Sequence, residues 1–283
     1  MTVIDRIDSS AYIHDPKIAD DYVDVQKLHP LYDKLSFRKN ANLILVGPKG
    51  IGKSLSLSAW AAQNAHPMVT FSCSEDARKA DLYGHYILRN DVTPFILGPI
   101  TTAFEIANEK GSCVLCFEEI NSLTPQCQKL LNSLCDFHRR IEVPTAQRVF
   151  ELDSGAKLWV TGTMNTAVYG GVYSLNEDLK SRFNLLPLDY PSLNNEKDLL
   201  TKTLNAITQS VGAKIFGAVL RLANETRQGV FDYALSTRDV VQILSNIDAV
   251  GLKPAMWIAS GKFEDKDRET FKERAKSHFG VQI

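Results

Sequence analysis

An α/β fold is what these 283 residues predict: a three-layer αβα core around a five-stranded parallel sheet, carrying two inserted hairpins and followed by a small helical domain. Two observations carry this reading. Apolar runs at residues 43–46, 68–73, 112–117, 157–163 and 184–190 alternate with segments of helical period, the pattern of strands joined by crossover helices. After Pro191 the strand-like runs stop and helix-period segments continue. The expected divisions are a leading segment over 1–40, the sheet domain over 41–191, and a helical lid with the C-terminal segment over 192–283.

The first run passes directly into Gly47, Pro48, Lys49, Gly50, Ile51, Gly52, Lys53 and Ser54, with a helix expected over 55–64. This is G-x-x-x-x-G-K-S placed between a strand and a helix. Glycines at 47, 50 and 52 let successive N–H groups turn toward phosphate oxygens, at a helix N-terminus that already favours anions. Lys53 supplies a point charge for the β- and γ-phosphates, Ser54 offers a hydroxyl to Mg²⁺, and Leu55 closes the expected nucleotide-binding stretch. The expected ligand is a nucleoside triphosphate.

Composition narrows the remaining classes. Hydrophobic residues make up 44% and charged residues 23%, ordinary globular usage. The net charge of −1 provides no overall basic field toward nucleic acid or anionic lipid, although a local basic patch in an assembled ring escapes that test. No run reaches the length of a membrane span, and the first residues lack a signal peptide's basic start and apolar core. A cytoplasmic protein with reduced thiols is expected. Of the five cysteines, Cys113 and Cys116 lie three apart in a strand and point to opposite faces. Cys127 and Cys135 stand about 12 Å apart on a helix, too far to bridge. The six histidines are scattered without metal-ligand spacing.

Residues 1–40 are broken by Pro16 and Pro30, and Tyr22, Val25, Leu28, Leu31 and Leu35 suit one or two short helices. Residues 81–88 and 94–98 flank the turn-rich stretch 89–93, a hairpin interrupting a helix that resumes over 100–110. Such an insertion either projects for a purpose or fills space. The third run ends in Glu118, Glu119, Ile120 and Asn121, which suits carboxylates downstream of a phosphate loop: Glu118 for Mg²⁺ and Glu119 for the attacking water. Aspartate is usual at the first position, and glutamate moves the carboxylate by about 1.5 Å. Thr124 and Pro125 open a helix with Leu130, Leu131, Leu134 and Phe137 on one side. A second hairpin is expected from 140–143 to 148–152. The fourth run delivers Asn165 at the strand end where ligands lie in open α/β sheets. Gly170 and Gly171 make a turn, and a short helix spans 176–183. Helices over 196–209 and 214–227 follow, then one opening at Ser236 with Asp239 three residues on, a capping-box pattern. A charged amphipathic stretch with Phe263, Phe271, Ala275 and Phe279 ends the chain, suited to closing the lid or to touching a neighbour.

In this order and spacing, residues 47–54, 117–121, 162–165 and 179–183 resemble the AAA+ ATPase core. Glu119, Ile120 and Asn121 followed by Pro125 and Gln128, together with the run 163–183, resemble its MoxR branch, nearest the CbbQ/NorQ-type and dynein-related proteins. The two hairpins look like that clade's helix-2 insert and pre-sensor hairpin. The resemblance covers about residues 40–250. It implies Asn165 as sensor 1, Arg182 as an arginine finger reaching a neighbour's γ-phosphate, and Arg238 as sensor 2. It also implies ATP and Mg²⁺ as ligands, a homo-oligomeric ring, often a hexamer, and a client protein, commonly with a von Willebrand factor A domain, in some cases for metallocofactor insertion. The stretch 162–166 also resembles McrB-type GTPases, but Ala167 and Val168 stand where those carry an acid, favouring ATP. Two other readings stay open. A nucleic-acid motor is neither favoured nor opposed by the hairpin charges, since Arg89 lies near Asp91, and Arg140 and Arg148 accompany Glu142 and Glu151. A monomeric phosphotransferase needs no arginine from a neighbour.

Overall fold

The computed structural model describes residues 7–39, 41–88, 93–136, 138–166 and 173–280. Along the chain these form α1 (Lys17–Asp21), α2 (His29–Leu35), β1 (Leu43–Val46), α3 (Lys53–Gln63), β2 (Met68–Ser72), α4 (Lys79–Tyr83), β3 (Gly84–Tyr86), β4 (Phe95–Leu97), α5 (Pro99–Lys110) and β5 (Ser112–Glu118). Then come α6 (Pro125–Cys135), β6 (Ile141–Val143), β7 (Arg148–Phe150), β8 (Lys157–Met164), α7 (Glu177–Lys180) and β9 (Asn184–Pro187). Helices α8 (Leu193–Thr203), α9 (Asn205–Val211), α10 (Ala213–Glu225), α11 (Thr237–Val250), α12 (Leu252–Ser260) and α13 (Asp265–Phe279) complete it.

Five strands form the parallel sheet that the apolar runs predict, in the order β2-β5-β8-β1-β9. Its strands read as nearly continuous apolar runs because both faces are covered. Alternation divides them: Ile44, Leu115, Phe117 and Val160 join the core on one face, and Leu43, Leu45, Val114 and Trp159 that on the other. Cys113 and Cys116 fall in different cores for the same reason, and all five cysteines are free and buried. Register brings Val46 beside Met164 and Phe117 beside Gly162, so β1, β8 and β5 end at one level.

Both hairpins form. β3 pairs antiparallel with β4 between α4 and α5, and β6 with β7 before β8. The turn residues 89–92 of the first lie outside the described residues, as do Phe137, Ala167, Val168, Gly170 and Gly171. At the base of the first hairpin a Cβ on Gly84 would sit 2.2 Å from the Ile96 carbonyl oxygen, so only glycine fits there. Near the N-terminus the helices are α1 and α2, and the anchor is Tyr32 rather than Leu31. Tyr32 is fully buried against Trp60 and Trp159, with its hydroxyl 2.9 Å from Ser56 Oγ.

The chain divides into two compact units. One holds the N-terminal residues to Tyr22 with Lys27–Gly47 and Gly52–Leu188; the other holds Val23–Gln26, Pro48–Ile51 and the chain from Asp189 onward. The second has its own apolar core, including Phe216, Leu244, Phe263, Phe271 and Ala275, so the amphipathic tail is part of that unit's core. The helix expected over 196–209 is instead two, α8 and α9, because Leu204 leaves helical geometry at φ −124°, ψ 39°. Thr201 and Thr203 donate side-chain hydrogen bonds to the carbonyls of Lys197 and Leu199, a pattern that bends helices. The helix expected over 214–227 ends at Glu225 in a π-type turn, Thr226–Val230. The Ser236 and Asp239 capping box forms reciprocally at the start of α11.

Candidate functional site

Three neighbouring strands deliver the polar side chains to one place. After β1, Gly50 (φ 72°) and Gly52 (φ 89°) take left-handed backbone, and α3 starts at Lys53 with no side chain capping it. A helix N-terminus without a side-chain cap is the setting that a phosphate requires. The Leu55 side chain is 52% exposed, so within this stretch its backbone is what lies in the first turn.

Lys53 is 8% exposed, and its Nζ donates to the Gly47 carbonyl at 2.8 Å and to Asn165 Oδ1 at 3.0 Å. Asn165, 4% exposed just past β8, donates from Nδ2 to Glu119 Oε1 at 2.9 Å. One carboxamide thus bridges the phosphate-loop lysine and the carboxylate after β5, with oxygen toward the cation and nitrogen toward the acid. β8 lies between β1 and β5, which is why Asn165 fills this position.

The acids differ in setting. Glu118, partly exposed at the end of β5, accepts from Ser72 Oγ at 3.0 Å. Glu119 follows in left-handed backbone, with its N–H donating to Thr163 Oγ1 at 3.1 Å. No motif in the sequence marks Ser72, and Thr163, though inside the run 162–165, carries no sign there of its contact with Glu119. Asn121 donates from Nδ2 to the Asn165 carbonyl at 3.3 Å, and its own carbonyl accepts from the Tyr173 N–H at 2.7 Å. Gln128, fully buried, donates to the Leu123 carbonyl and accepts from the Asn176 N–H at 2.8 Å. The Asn121 backbone carbonyl and the Gln128 side chain thus tie the segment leading to α7 onto the acid turn and the start of α6.

Arg182 stands elsewhere. Its carbonyl accepts from Asn42 Nδ2 at 2.9 Å, and Leu43 pairs with Asn184, so Arg182 lies at the start of β1, the end opposite Gly47. The strand between them spans about 15 Å. Arg238 is exposed in the first turn of α11, and a Cβ on Gly50 would come within 3.3 Å of its Cβ and 2.4 Å of Ser236 Oγ. Burial pushes the Asp239 carboxyl up, but hydrogen bonds from Lys262 and Ser236 outweigh this and hold it below its ordinary value. Burial pushes the Cys116 thiol up to about 12. No group of three or more candidate metal ligands occurs among the described residues, and none of their helices is long and apolar enough to cross a membrane.

A phosphate loop, a polar strand-end bridge and adjacent acids on a parallel sheet of this order define a P-loop ATPase. Residues 42–183, half of the chain, match the family described as the AAA domain of the dynein-related subfamily, and the protein belongs to that family. It is an AAA+ ATPase of the MoxR branch. The chain is 26% identical over 199 residues to protein CbbQ of Hydrogenophilus thermoluteolus, covering 70% of this chain and 71% of that one. It is 25% identical over 229 residues to an uncharacterized protein of Staphylococcus haemolyticus, covering 79% and 84%. A solved candidate ATPase from Cytophaga hutchinsonii has the same fold, with a TM-score of 0.50 at 18% identity, covering 92% of this chain and 83% of that one.

Proposed function

We propose that the protein hydrolyses ATP at the subunit interfaces of a homo-oligomeric ring, hexameric as is common in the MoxR branch, and uses the cycle to remodel or activate a client protein. The client that the branch implies carries a von Willebrand factor A domain, with metallocofactor insertion as one outcome. The observation carrying the catalytic part is the bridge from Lys53 through Asn165 to Glu119. It couples the group assigned to the phosphates with the group assigned to the water.

Residues 47–55 bind the nucleotide in this reading, and Lys53 neutralises the β- and γ-phosphates. Ser54 and Glu118 would hold Mg²⁺, which supplies charge neutralisation on the phosphates. Ser72 keeps the longer Glu118 carboxylate at the strand end. Glu119 accepts the proton of the attacking water while Asn165 orients it. Arg238 acts from the lid. The ring part rests on Arg182: at the far end of β1 it cannot serve its own phosphate loop, so a nucleotide it contacts belongs to a neighbour.

The test is light scattering and turnover with ATP and Mg²⁺, alone and then with a von Willebrand factor A-type protein or with DNA. Nucleotide-driven assembly, with turnover raised by the protein partner, is expected. Stimulation by DNA alone favours the motor reading, and full turnover by a monomer favours the phosphotransferase.

A further inference from the structure

Arg182 is not a loose surface side chain. Its Nε donates to Asp136 Oδ1 at 2.6 Å and its Nη1 to the carbonyl of Asp178 in the preceding helix α7 at 2.5 Å. The turn carrying it is pinned by Asn42, fully buried, which donates from Nδ2 to the Cys135 and Arg182 carbonyls and accepts from Arg139 Nη2 at 2.7 Å. Asn42 also accepts, through its carbonyl, from the Asn184 N–H at 2.8 Å. The guanidinium is therefore held at two of its nitrogens, Nε and Nη1, while the side chain keeps 29% of its surface exposed.

Asp136 is half-exposed, and an ion pair at such a surface contributes little to folding stability. Its geometric effect is larger. An arginine side chain has many rotamers, and bonding two of its nitrogens selects the few that hold the guanidinium in one orientation. A group already held in its docking conformation loses less entropy when it engages a partner.

We propose that Asp136 is a positioning residue for Arg182: it fixes the guanidinium in one orientation at the surface of its own subunit, preset for an anionic oxygen on a neighbouring copy. This rests on the ring reading above. Nothing in the sequence around Asp136 marks it, because its partner lies 46 residues on.

The experiment is steady-state ATP hydrolysis by the full-length protein under assembling conditions, comparing wild type with Asp136→Ala, Asp136→Asn, Arg182→Ala and the Asp136→Ala/Arg182→Ala double variant. Asp136→Ala is expected to lower kcat about tenfold with KM for ATP unchanged, since only the state in which Arg182 docks loses support. Asp136→Asn is expected to recover most of that loss, because its amide oxygen still accepts from Nε. In the Arg182→Ala background, Asp136→Ala should change nothing further, whereas damage to the fold would lower turnover in both backgrounds. Turnover at or above wild type in Asp136→Ala overturns the proposal, as does an equal loss in the double variant. Wild-type turnover in Arg182→Ala instead removes the arginine finger itself, whatever Asp136 does.

Discussion

Glu119 sits at φ 54°, ψ 47°, a conformation that costs a non-glycine residue about 1–2 kcal/mol. That turn lifts its side chain off β5 so that the carboxylate meets Asn165, while the N–H is satisfied by Thr163. Strain of this kind persists where the surroundings over-determine it, commonly at functional sites. Glu119→Gly and Glu119→Ala both delete the carboxylate and should both be inactive. They differ in strain: the glycine variant should be the more stable by about 1 kcal/mol, the reverse of the usual order of the two residues. Chemical denaturation measures this, and an alanine variant at least as stable as the glycine one would remove the strain from the account. Glu119→Gln keeps an acceptor for Asn165, so ATP binding should survive while turnover is lost.

Among the elements, the second unit is organised by a buried ion pair. Arg227, in the turn after α10, donates from Nη1 and Nη2 to both carboxylate oxygens of Glu196 in the first turn of α8, at 2.7 and 2.9 Å. The two side chains are 6% and 0% exposed. Thr237 at the start of α11 donates to Glu196 Oε1, Arg227 Nε donates to the Leu235 carbonyl, and the guanidinium lies 4.3 Å from the Tyr190 ring centre. The pair thus joins three helical elements and sets the turn from which Arg238 projects. Its net worth against an apolar replacement is small, but breaking it leaves a buried charge. Glu196→Gln should therefore destabilise the second unit by about 3–5 kcal/mol, and Glu196→Met with Arg227→Met should recover most of that. Hydrogen exchange over 189–280 reads the effect locally. Unchanged protection in Glu196→Gln would show that the pair carries no such strain.

At the scale of the whole molecule, the proposed ring would make a complete site a property of two chains, since Arg182 stands apart from its own phosphate loop. Lys53→Ala removes the phosphate charge and Arg182→Ala the finger, and each alone should hydrolyse ATP poorly. Mixed rings should partly recover activity, because an Arg182→Ala subunit still has its phosphate loop and its Lys53→Ala neighbour still donates Arg182. Turnover of co-assembled mixtures across a titration of the two variants measures this. No recovery in rings shown to contain both would count against action across an interface. A lysine at 182 should substitute only weakly, lacking the planar fork.

The sheet, the phosphate loop, both hairpins and the α11 cap were legible in the chain because each is local. Apolar period reports which backbone is extended or helical and which face is covered, and glycine, proline and capping residues mark its ends within a few positions. The same periodicity placed Glu118, Glu119 and Asn165 at strand ends, and parallel strands made those ends neighbours. What the tertiary structure alone decided is which polar atoms meet: Ser72 with Glu118 across 46 residues, Asn42 with Arg182 across 140, Arg227 with Glu196 across 31. It also decided that Tyr32 rather than Leu31 is the anchor, and that the helix after Ser192 breaks at Leu204. The physical reason is the same in each case. A polar side chain's partner is set by the topology that closes the chain, and a hydrogen bond's short range and direction leave no periodic trace in the sequence.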